Sequence, residues 1–514
     1  WMQGDPLDPQ NDCVILEGVE HTLCIAFKGD NAGPQGIVEL ETDYAQLRAA
    51  FPNAVVRAGT FDDFVPSLQA ARDTMPLVHE EIGDTWLYGC PSDPKKLALF
   101  RALQRCRRSS LEAGDTTMEE LWQFDFFLMK SEEHTWGEDV KSYLIDWANW
   151  NNVDFHEQLA AHSSNYETIV NSWYDQRFFL GAALDAVKGN AAVHDRCRAE
   201  MAAVSDTAVD MTAARELQNG WTVSEPAANH TAGDFVVSFD SATGAVVYLS
   251  KEGQPSVATA SRMLGLVEYT TYDGRNYDTF LHQYLYCPPS PCYWGPIDFG
   301  KPNVTVSGCP TSATTAGELV SFYERPTGTG MEFLAVLSFP QSVHEQAGAP
   351  SWATLLYNIS DAIHIDLQLK NKTATRLPES MWVTFNPTLA ESGKTNAWRM
   401  DKIGQWVDPL NVAVNGSRSL HGVRSGVGLN ETWATTASPN TPGDVAVLIE
   451  SIDAGVVAPG GDELMNYSNH QPAVSEKGMS FNLFNNLWGT NYVMWYPFGD
   501  ESPDIRYRFK VAVQ

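Results

Sequence analysis

The sequence has few basic residues and no long apolar run. Its 34 lysines and arginines are outnumbered by 64 aspartates and glutamates, which gives a formal net charge of −30 at pH 7. A surface with this excess of negative charge repels phosphate backbones and anionic lipid headgroups, which argues against nucleic acid and membrane surfaces as partners. Because no stretch of about 18 apolar residues occurs, the sequence predicts no transmembrane helix.

The start of the chain also lacks an initiator methionine and a signal-peptide pattern. It reads WMQGDPLDPQ, without a basic segment followed by an apolar one. We therefore expect a mature, processed or truncated product.

The spacing of the cysteines does not match that of a zinc ribbon, and their number is even. The eight are Cys13, Cys24, Cys90, Cys106, Cys197, Cys287, Cys292 and Cys309. An even count without metal-type spacing favours disulfides and hence an oxidising compartment. The spacing does not fix the pairing: the string CPPSPC can close on itself, and Cys309 is a rival partner.

Seven N-x-S/T sequons follow residue 220, in a region that the sequence predicts to be rich in β-strands. Their asparagines are Asn229, Asn303, Asn358, Asn371, Asn415, Asn430 and Asn466. Together with the cysteines they predict a glycoprotein that is secreted or extracellular, or that resides in a lysosome-like or vacuole-like lumen.

A chain of 514 residues is too long for one hydrophobic core, and three regions differ in pattern. In residues 1–89, strand-like strings such as HTLCIAF and NAVVRAG alternate with amphipathic helices, one of them capped by Thr60. This alternation predicts parallel α/β structure. The region is too short for a complete covered sheet, so it is expected to be the C-terminal part of a larger α/β barrel.

The remaining two regions are helical and then β-rich. Residues 90–215 carry apolar residues at three- to four-residue spacing, which predicts a helical bundle. From residue 216 to 514, alternating strands are punctuated by Gly, Pro, Asn and Thr, which predicts β-sandwich domains.

The string HEEIGDTWLYGCPSDPKK, residues 79–96, combines acids with aromatic rings. Its acids are Glu80, Glu81, Asp84 and Asp93, and they are interleaved with Trp86 and Tyr88. This combination suits carbohydrate, with the acids as candidate catalytic groups and Trp86 as a candidate substrate contact, because a ring stacks on sugar C–H faces and burial beside it raises a carboxyl pKa. The alternative is a surface turn whose acids cap the next helix.

His134 stands in the string MKSEEHTWGEDVKSYL, between carboxylates and a Trp-Gly step. A neutral imidazole with a carboxylate on its second nitrogen is a zinc ligand. No second histidine follows at three or four residues, so other ligands must come from elsewhere. The alternative is a structural or solvated histidine.

Aromatic and polar residues also recur together near the end of the chain. The candidate sugar contacts are Arg376, Asn386, Arg399, Trp488 and Asn491. The alternative is that they serve packing and turns, as most such residues in β-sandwiches do.

Several long strings carry a resemblance to a known family. They are DFGKP at 298–302, ATRLPESMWVTFNP at 374–387 and NNLWGTNYVMW at 485–495, together with EEHTWG and FDSATGAVVYL. The chain resembles the retaining α-mannosidases of glycoside hydrolase family 38, and it resembles still more closely a related branch that is classified as a domain of unknown function.

The resemblance implies a (β/α)7 barrel, a helical bundle and mutarotase-like β-sandwiches. It implies a zinc ion that binds sugar hydroxyls, with His134 at the position of the bundle's histidine ligand and Glu81 or Asp84 near the general-acid segment. The family's early His-x-Asp pair and nucleophilic aspartate do not precede the matched segments. An N-terminal companion chain, or a segment missing from this sequence, would have to supply them.

The resemblance therefore leaves three interpretations. In the first, a completed site hydrolyses mannosides with zinc by double displacement. In the second, the fold has lost catalysis and acts as a glycan-binding or structural glycoprotein in an extracellular assembly. In the third, the enzyme acts on another sugar.

Overall fold

The computed structural model describes residues 8–10, 12–26, 33–78, 80–83, 85–133, 136–205, 209–285, 293–306, 308–389, 397–430, 446–489 and 492–514. The helices described are α1 (Ile37–Ala50), α2 (Phe61–Ala71), α3 (Pro94–Glu112), α4 (Trp122–Lys130), α5 (Val140–Tyr143), α6 (Asn152–Ala160), α7 (Ser164–Ala186), α8 (Ala191–Ala202), α9 (Met211–Arg215), α10 (Gly274–Tyr284), α11 (Gly295–Asp298), α12 (Gln341–Ala347) and α13 (Val474–Lys477). Two 3-10 helices span Arg72–Thr74 and Thr85–Ser92.

The strands described are β1 (Cys13–Val14), β2 (Leu23–Cys24), β3 (Thr222–Val223), β4 (His230–Ala232), β5 (Phe235–Phe239), β6 (Val246–Lys251), β7 (Leu264–Thr271), β8 (Ala313–Ala316), β9 (Glu318–Pro326), β10 (Met331–Ser338), β11 (Trp352–Ile359), β12 (Ile363–Lys370), β13 (Glu379–Phe385), β14 (Trp398–Lys402), β15 (Gln405–Val407), β16 (His421–Gly422), β17 (Gly426–Leu429), β18 (Val447–Ser451), β19 (Val456–Pro459), β20 (Met479–Asn486) and β21 (Ile505–Val513).

The chain divides into two compact units, with the boundary between His79 and Glu80. In the first unit β1 and β2 form an antiparallel pair closed by the Cys13–Cys24 disulfide. Thr60 is the N-cap of α2, as predicted, and its backbone N–H donates to Asp63 Oδ2 at 2.8 Å.

The predicted strands of this unit are short or absent among its described residues, and none of them pairs in parallel. The string NAVVRAG forms a turn and an extended segment, in which Val55 is 90% exposed. β-branched residues favour a strand only where a neighbouring strand and a packing surface are present, and Val55 has neither here.

The second unit contains two large sheets whose ladders between named strands are all antiparallel. The ten-stranded sheet has the order β15-β14-β17-β18-β21-β12-β11-β10-β9-β3. The other sheet has the order β16-β19-β20-β13-β7-β6-β5-β4, with β8 also paired to β7. The combination of helices with large antiparallel sheets, predicted from the sequence, is confirmed.

The two sheets pack face to face in the manner of a β-sandwich. Phe385 of β13 and Phe481 of β20 each place their ring centroids 5.4 Å from that of Phe509 in β21. In β21, buried residues alternate with partly exposed ones along the whole strand, because one face meets the opposite sheet. The core therefore lies mainly between the sheets.

The helices form a second, smaller core that a disulfide crosses. Leu103 of α3, Phe124 of α4 and Leu180 of α7 are buried together there, and Cys106 of α3 is bonded to Cys197 of α8. Disulfide formation is thus confirmed for four of the eight cysteines. Cys287 and Cys292 lie outside the described residues, and their rival partner Cys309 has a free thiol.

No α-helix in the described part of the chain is both long enough and apolar enough to cross a lipid bilayer.

Candidate functional site

Five aromatic side chains of the second unit meet in what we call the aromatic cluster: Trp86, Trp136, Phe299, Trp488 and Tyr492. The ring centroid of Trp86 lies 5.2 Å from that of Trp488 and 6.1 Å from that of Tyr492, while Trp136 lies 5.6 Å from Tyr492. Phe299 closes the cluster at 4.7 Å from Trp488. Trp86 is partly buried, and the other four are buried.

The cluster draws together segments that are distant in the sequence. Trp86 belongs to the 3-10 helix Thr85–Ser92, Trp136 follows α4, and Trp488 and Tyr492 follow β20. The Tyr492 hydroxyl donates to the carbonyl oxygen of Trp86 at 2.7 Å. A Cβ atom at Gly89 would lie 2.1 Å from the Tyr492 ring, so this approach requires glycine.

The outer edge of the cluster is partly open to solvent. Trp294 is 44% exposed, and its ring lies 5.7 Å from that of Phe299. Tyr284 lies 5.3 Å from Phe299, and its hydroxyl is 2.9 Å from Thr85 Oγ1. The exposed Trp294 ring and the partly buried Tyr284 therefore lie together at this edge, while Thr85 itself is buried.

Three of the predicted site residues, Asp84, His134 and Asn491, lie outside the described residues. Described residues that follow them closely in the chain, Trp86, Trp136 and Tyr492, are all members of the aromatic cluster. The structure therefore brings together described parts of three segments that the sequence singled out separately.

Arg376 lies apart from the cluster and is wholly buried. Its Nη2 donates to the Trp147 carbonyl oxygen at 2.6 Å and its Nη1 to the Tyr166 hydroxyl at 3.1 Å. The guanidinium also covers the Trp150 ring at 4.9 Å. These contacts attach the segment before β13 to the helices and leave Arg376 no exposed surface for a sugar.

Glu81 is held in an ion pair. Its Oε1 accepts a hydrogen bond from Lys402 Nζ at 2.6 Å, and its backbone pairs with Val412. Burial by itself would raise the pKa of Glu81, but the Lys402 ammonium outweighs burial and lowers the pKa below its ordinary value. A general acid needs the opposite shift, so Glu81 does not have the environment of one.

Replacing Lys402 with methionine leaves the Glu81 carboxylate partly buried without its partner. We expect a loss of about 1 kcal/mol in the free energy of unfolding at pH 7, because the pair is only partly screened by solvent. A carboxyl with a lowered pKa stabilises the fold above its ordinary pKa, and this contribution is lost as the pH falls.

Urea unfolding at a series of pH values measures this loss, which should shrink as the pH falls below 4.5, the ordinary pKa of a glutamate. Lys188→Met is the control, because it removes an exposed ion pair with Asp185 and should change stability less. An equal loss for both variants, or a loss independent of pH, would contradict the role assigned to Lys402.

The structure also shows a buried histidine near this ion pair that the sequence analysis did not single out. His421 of β16 is completely buried, and neither ring nitrogen makes a hydrogen bond with any described residue. Burial, with a further contribution from the Lys402 and Arg418 charges, lowers the pKa of His421 to about 4. A lone histidine beside apolar residues gives no signal in the sequence that separates it from a core residue.

No group of three His, Cys, Asp or Glu side chains that could hold a metal ion occurs among the described residues. His134 is outside them. The described residues therefore do not assemble a zinc site on their own, and we derive no catalytic step through zinc.

The seven sequon asparagines differ in exposure. Asn229, Asn303, Asn371 and Asn415 are exposed, and the last three have positive φ values of 64°, 56° and 65°, as in surface turns. Asn358 and Asn466 are partly buried. Asn430 is only 8% exposed and is the acceptor least accessible to a glycan in the folded chain.

Comparison with known sequences identifies the family to which the chain belongs. No curated protein matches the sequence significantly. The family model described as "Domain of unknown function (DUF5054)" matches residues 90–366, which run from the 3-10 helix containing Cys90 into β12. This match covers more than half of the chain, and the protein therefore belongs to the DUF5054 family.

Proposed function

We propose that the protein is a secreted, glycoside-hydrolase-like glycoprotein that acts on glycans, with chemistry of the retaining α-mannosidase type. Under this proposal the first unit is part of a (β/α)7 barrel, the helices are the bundle and the sheets are mutarotase-like sandwiches. The observation that carries the proposal is the aromatic cluster, on which the segments of Trp86, Trp136 and Tyr492 converge.

An aromatic edge of this kind suits a sugar. The C–H faces of a pyranose pack on an indole ring, while hydroxyl groups nearby hydrogen-bond to the sugar's polar rim. The partly buried Trp86 and the exposed Trp294 offer ring faces at the edge, and the partly buried Tyr284, whose hydroxyl oxygen is 2.9 Å from that of Thr85, offers a hydroxyl. The net charge of −30 does not oppose a neutral sugar.

In this proposal the remaining polar groups come from residues outside the described part of the chain. Asp84 is the better candidate for the general acid, because the Lys402 ion pair lowers the pKa of Glu81. His134 would contribute one zinc ligand, and a segment N-terminal to this chain would contribute the others. Zinc, when bound, would polarise the sugar hydroxyls that it holds.

The first experiment is peptide mapping of the native protein, with and without reduction, together with metal analysis and hydrolysis of p-nitrophenyl α-mannoside. Hydrolysis that chelation abolishes and zinc restores, with an attached segment bearing a His-x-Asp sequence, would support the enzyme. Mannoside binding without hydrolysis or zinc would instead support the glycan-binding alternative. The ion pair between Glu81 and Lys402 favours that alternative, because it makes Glu81 a poor general acid.

Replacing Trp86 with alanine should weaken mannoside binding about tenfold or more, because the stacking face is lost. Trp86→Phe should recover part of the affinity, since a smaller ring remains. Calorimetric titration with methyl α-mannoside measures both variants, and circular dichroism verifies their folding.

Trp122→Ala is the matched control, because Trp122 is 69% exposed on α4 and stacks only on Phe126 among the described aromatic rings. Affinity that is unchanged in Trp86→Ala, or reduced equally in Trp122→Ala, would remove the aromatic cluster from the proposed sugar site.

A further inference from the structure

A cleft of about 390 Å³ in the second unit is lined by five arginines, although the chain as a whole carries a charge of −30. Four of them, Arg101, Arg105, Arg107 and Arg108, lie on α3, and Arg424 lies just before β17. Such a concentration of positive charge produces a local potential opposite to that of the rest of the surface.

Two of the five arginines are fully engaged in holding the structure. Arg101 donates to three backbone carbonyl oxygens at 2.6–3.1 Å and so fixes α3 to the loops beside β17 and β18. Arg107 makes two hydrogen bonds of 2.6 and 2.7 Å with the Asp125 carboxylate. These two side chains form walls of the cleft and have little capacity for a ligand.

Arg105 has one group that remains unsatisfied. Its Nε donates to Glu200 at 2.9 Å and its Nη1 to the Ile452 carbonyl oxygen at 2.6 Å. Its Nη2 is buried but makes no hydrogen bond with a described residue, and the Asp453 Oδ1 is 4.0 Å away. Because this Nη2 is buried and faces the Asp453 carboxylate, Arg105 contributes positive charge to the wall of the cleft and offers no exposed N–H group at that atom.

Two further guanidinium groups are available. Arg108 is exposed, and its guanidinium makes no hydrogen bond or ion pair with another described residue. Arg424 is 52% exposed and uses its Nε to bind Asp401 at 3.0 Å. Of the two acids that line the cleft, Glu450 already pairs with Lys510 at 3.6 Å, so it offsets the arginines only in part.

We propose that this cleft binds the phosphate or sulfate group of a sugar-sized ester. Tetrahedral oxyanions present several acceptor oxygens, which match the paired N–H groups of guanidinium better than those of any other side chain. A volume of about 390 Å³ exceeds what a bare oxyanion fills and lies within the range of small-molecule sites. The exposed Arg108 and Arg424 would hold the oxyanion, and the charge of Arg105 would add to the positive potential around it.

The proposal stands apart from the glycan site, because the cleft shares no residue with the aromatic cluster. Calorimetric titration of the full-length protein with glucose 6-phosphate, glucose 6-sulfate and unmodified glucose tests it. We expect a Kd of about 1 mM or tighter for at least one ester, no binding of glucose, and weaker binding as the NaCl concentration rises.

Arg108→Gln should weaken ester binding at least about tenfold without affecting the fold, because Arg108 is exposed. Arg198→Gln is the matched control, since Arg198 is also exposed on a helix, α8, but does not line the cleft. Unchanged binding by the control supports the proposal.

Four results would overturn it: no heat with either ester up to about 10 mM, equal binding of glucose, no effect of Arg108→Gln, or an equal effect of Arg198→Gln. Binding of inorganic phosphate together with the esters supports the oxyanion site. Binding of inorganic phosphate alone contradicts the sugar-sized ligand.

Discussion

Arg177→Met should lower the free energy of unfolding of the second unit by about 3–5 kcal/mol. Arg177 lies on α7, is almost fully buried, and makes two hydrogen bonds of 2.6 and 2.8 Å with Asp93. Its third donor reaches Glu501 at 2.5 Å, and the guanidinium lies 4.5 Å from the centre of the Phe498 ring. Methionine removes all of these polar contacts while keeping much of the volume.

The large effect comes from what the substitution leaves behind. Asp93 is 1% exposed, so its carboxylate would remain buried with the α3 backbone N–H as its remaining described hydrogen-bond donor and the buried Lys96 as a nearby positive charge. A buried charge that has lost its hydrogen-bonded partner costs more than the intact ion pair contributes. The double variant Arg177→Met with Asp93→Asn should therefore be more stable than Arg177→Met alone, because the amide carries no charge yet can still cap the helix.

Urea unfolding followed by tryptophan fluorescence measures these differences. Arg198→Met, which removes an exposed arginine from α8, should change stability by less than about 0.5 kcal/mol. A loss of less than about 1 kcal/mol in Arg177→Met would show that water reaches Asp93 and that the pair is not desolvated.

The same ion pair affects the aromatic cluster. Asp93 is the N-cap of α3 and directly follows the 3-10 helix Thr85–Ser92, which carries Trp86. Losing the pair should loosen this segment, and the near-ultraviolet circular dichroism of the tryptophans should weaken before the secondary structure is lost.

Local features of the fold could be predicted from the sequence. Thr60 predicts a helix start, and α2 begins at the next residue. Hydrophobic spacing located the helical region and the β-rich region. These signals are local: a cap or an alternating pattern depends on residues a few positions apart.

What could not be predicted depends on contacts between distant residues. The string NAVVRAG has the composition of a strand, yet none of the described strands pairs with it, and Val55 remains exposed. Glu81 has the sequence context of a candidate acid, and only the fold brings Lys402, 321 positions away, beside it. Trp86 and Trp488 are candidates by residue type alone, and only the fold shows their rings 5.2 Å apart.

Between pH 6.5 and pH 4, the free energy of unfolding should fall by about 3 kcal/mol more in the wild-type protein than in the His421→Leu variant. The pKa of His421 falls from 6.5 to about 4 in the folded chain, mainly because burial disfavours the charged ring. Between these values the unfolded chain binds a proton at His421 and the folded chain does not, so acid favours unfolding. Above pH 6.5 both states are neutral at this residue, and below about pH 4 both are charged.

The groups that face His421 set the size of the effect but not its sign. The Lys402 and Arg418 charges oppose protonation, while the Glu81 charge and the nearby Arg418 backbone favour it. Glu81 has a lowered pKa and stays ionised through most of this range. Other buried acids with raised pKa values, such as Asp462, shift the absolute curve in the opposite direction. They are common to both proteins, so the difference between wild type and variant isolates His421.

Urea midpoints at intervals from pH 7 to pH 4 measure this difference. At pH 7 the variant should be nearly as stable as the wild type, because leucine replaces a neutral ring whose nitrogens make no hydrogen bond with a described residue. His282→Leu, on the exposed face of α10, is the control and should follow the wild-type curve. Parallel curves for His421→Leu and wild type would mean that His421 is solvated or hydrogen-bonded when charged. That result would also mean that water reaches the partly buried Glu81–Lys402 pair.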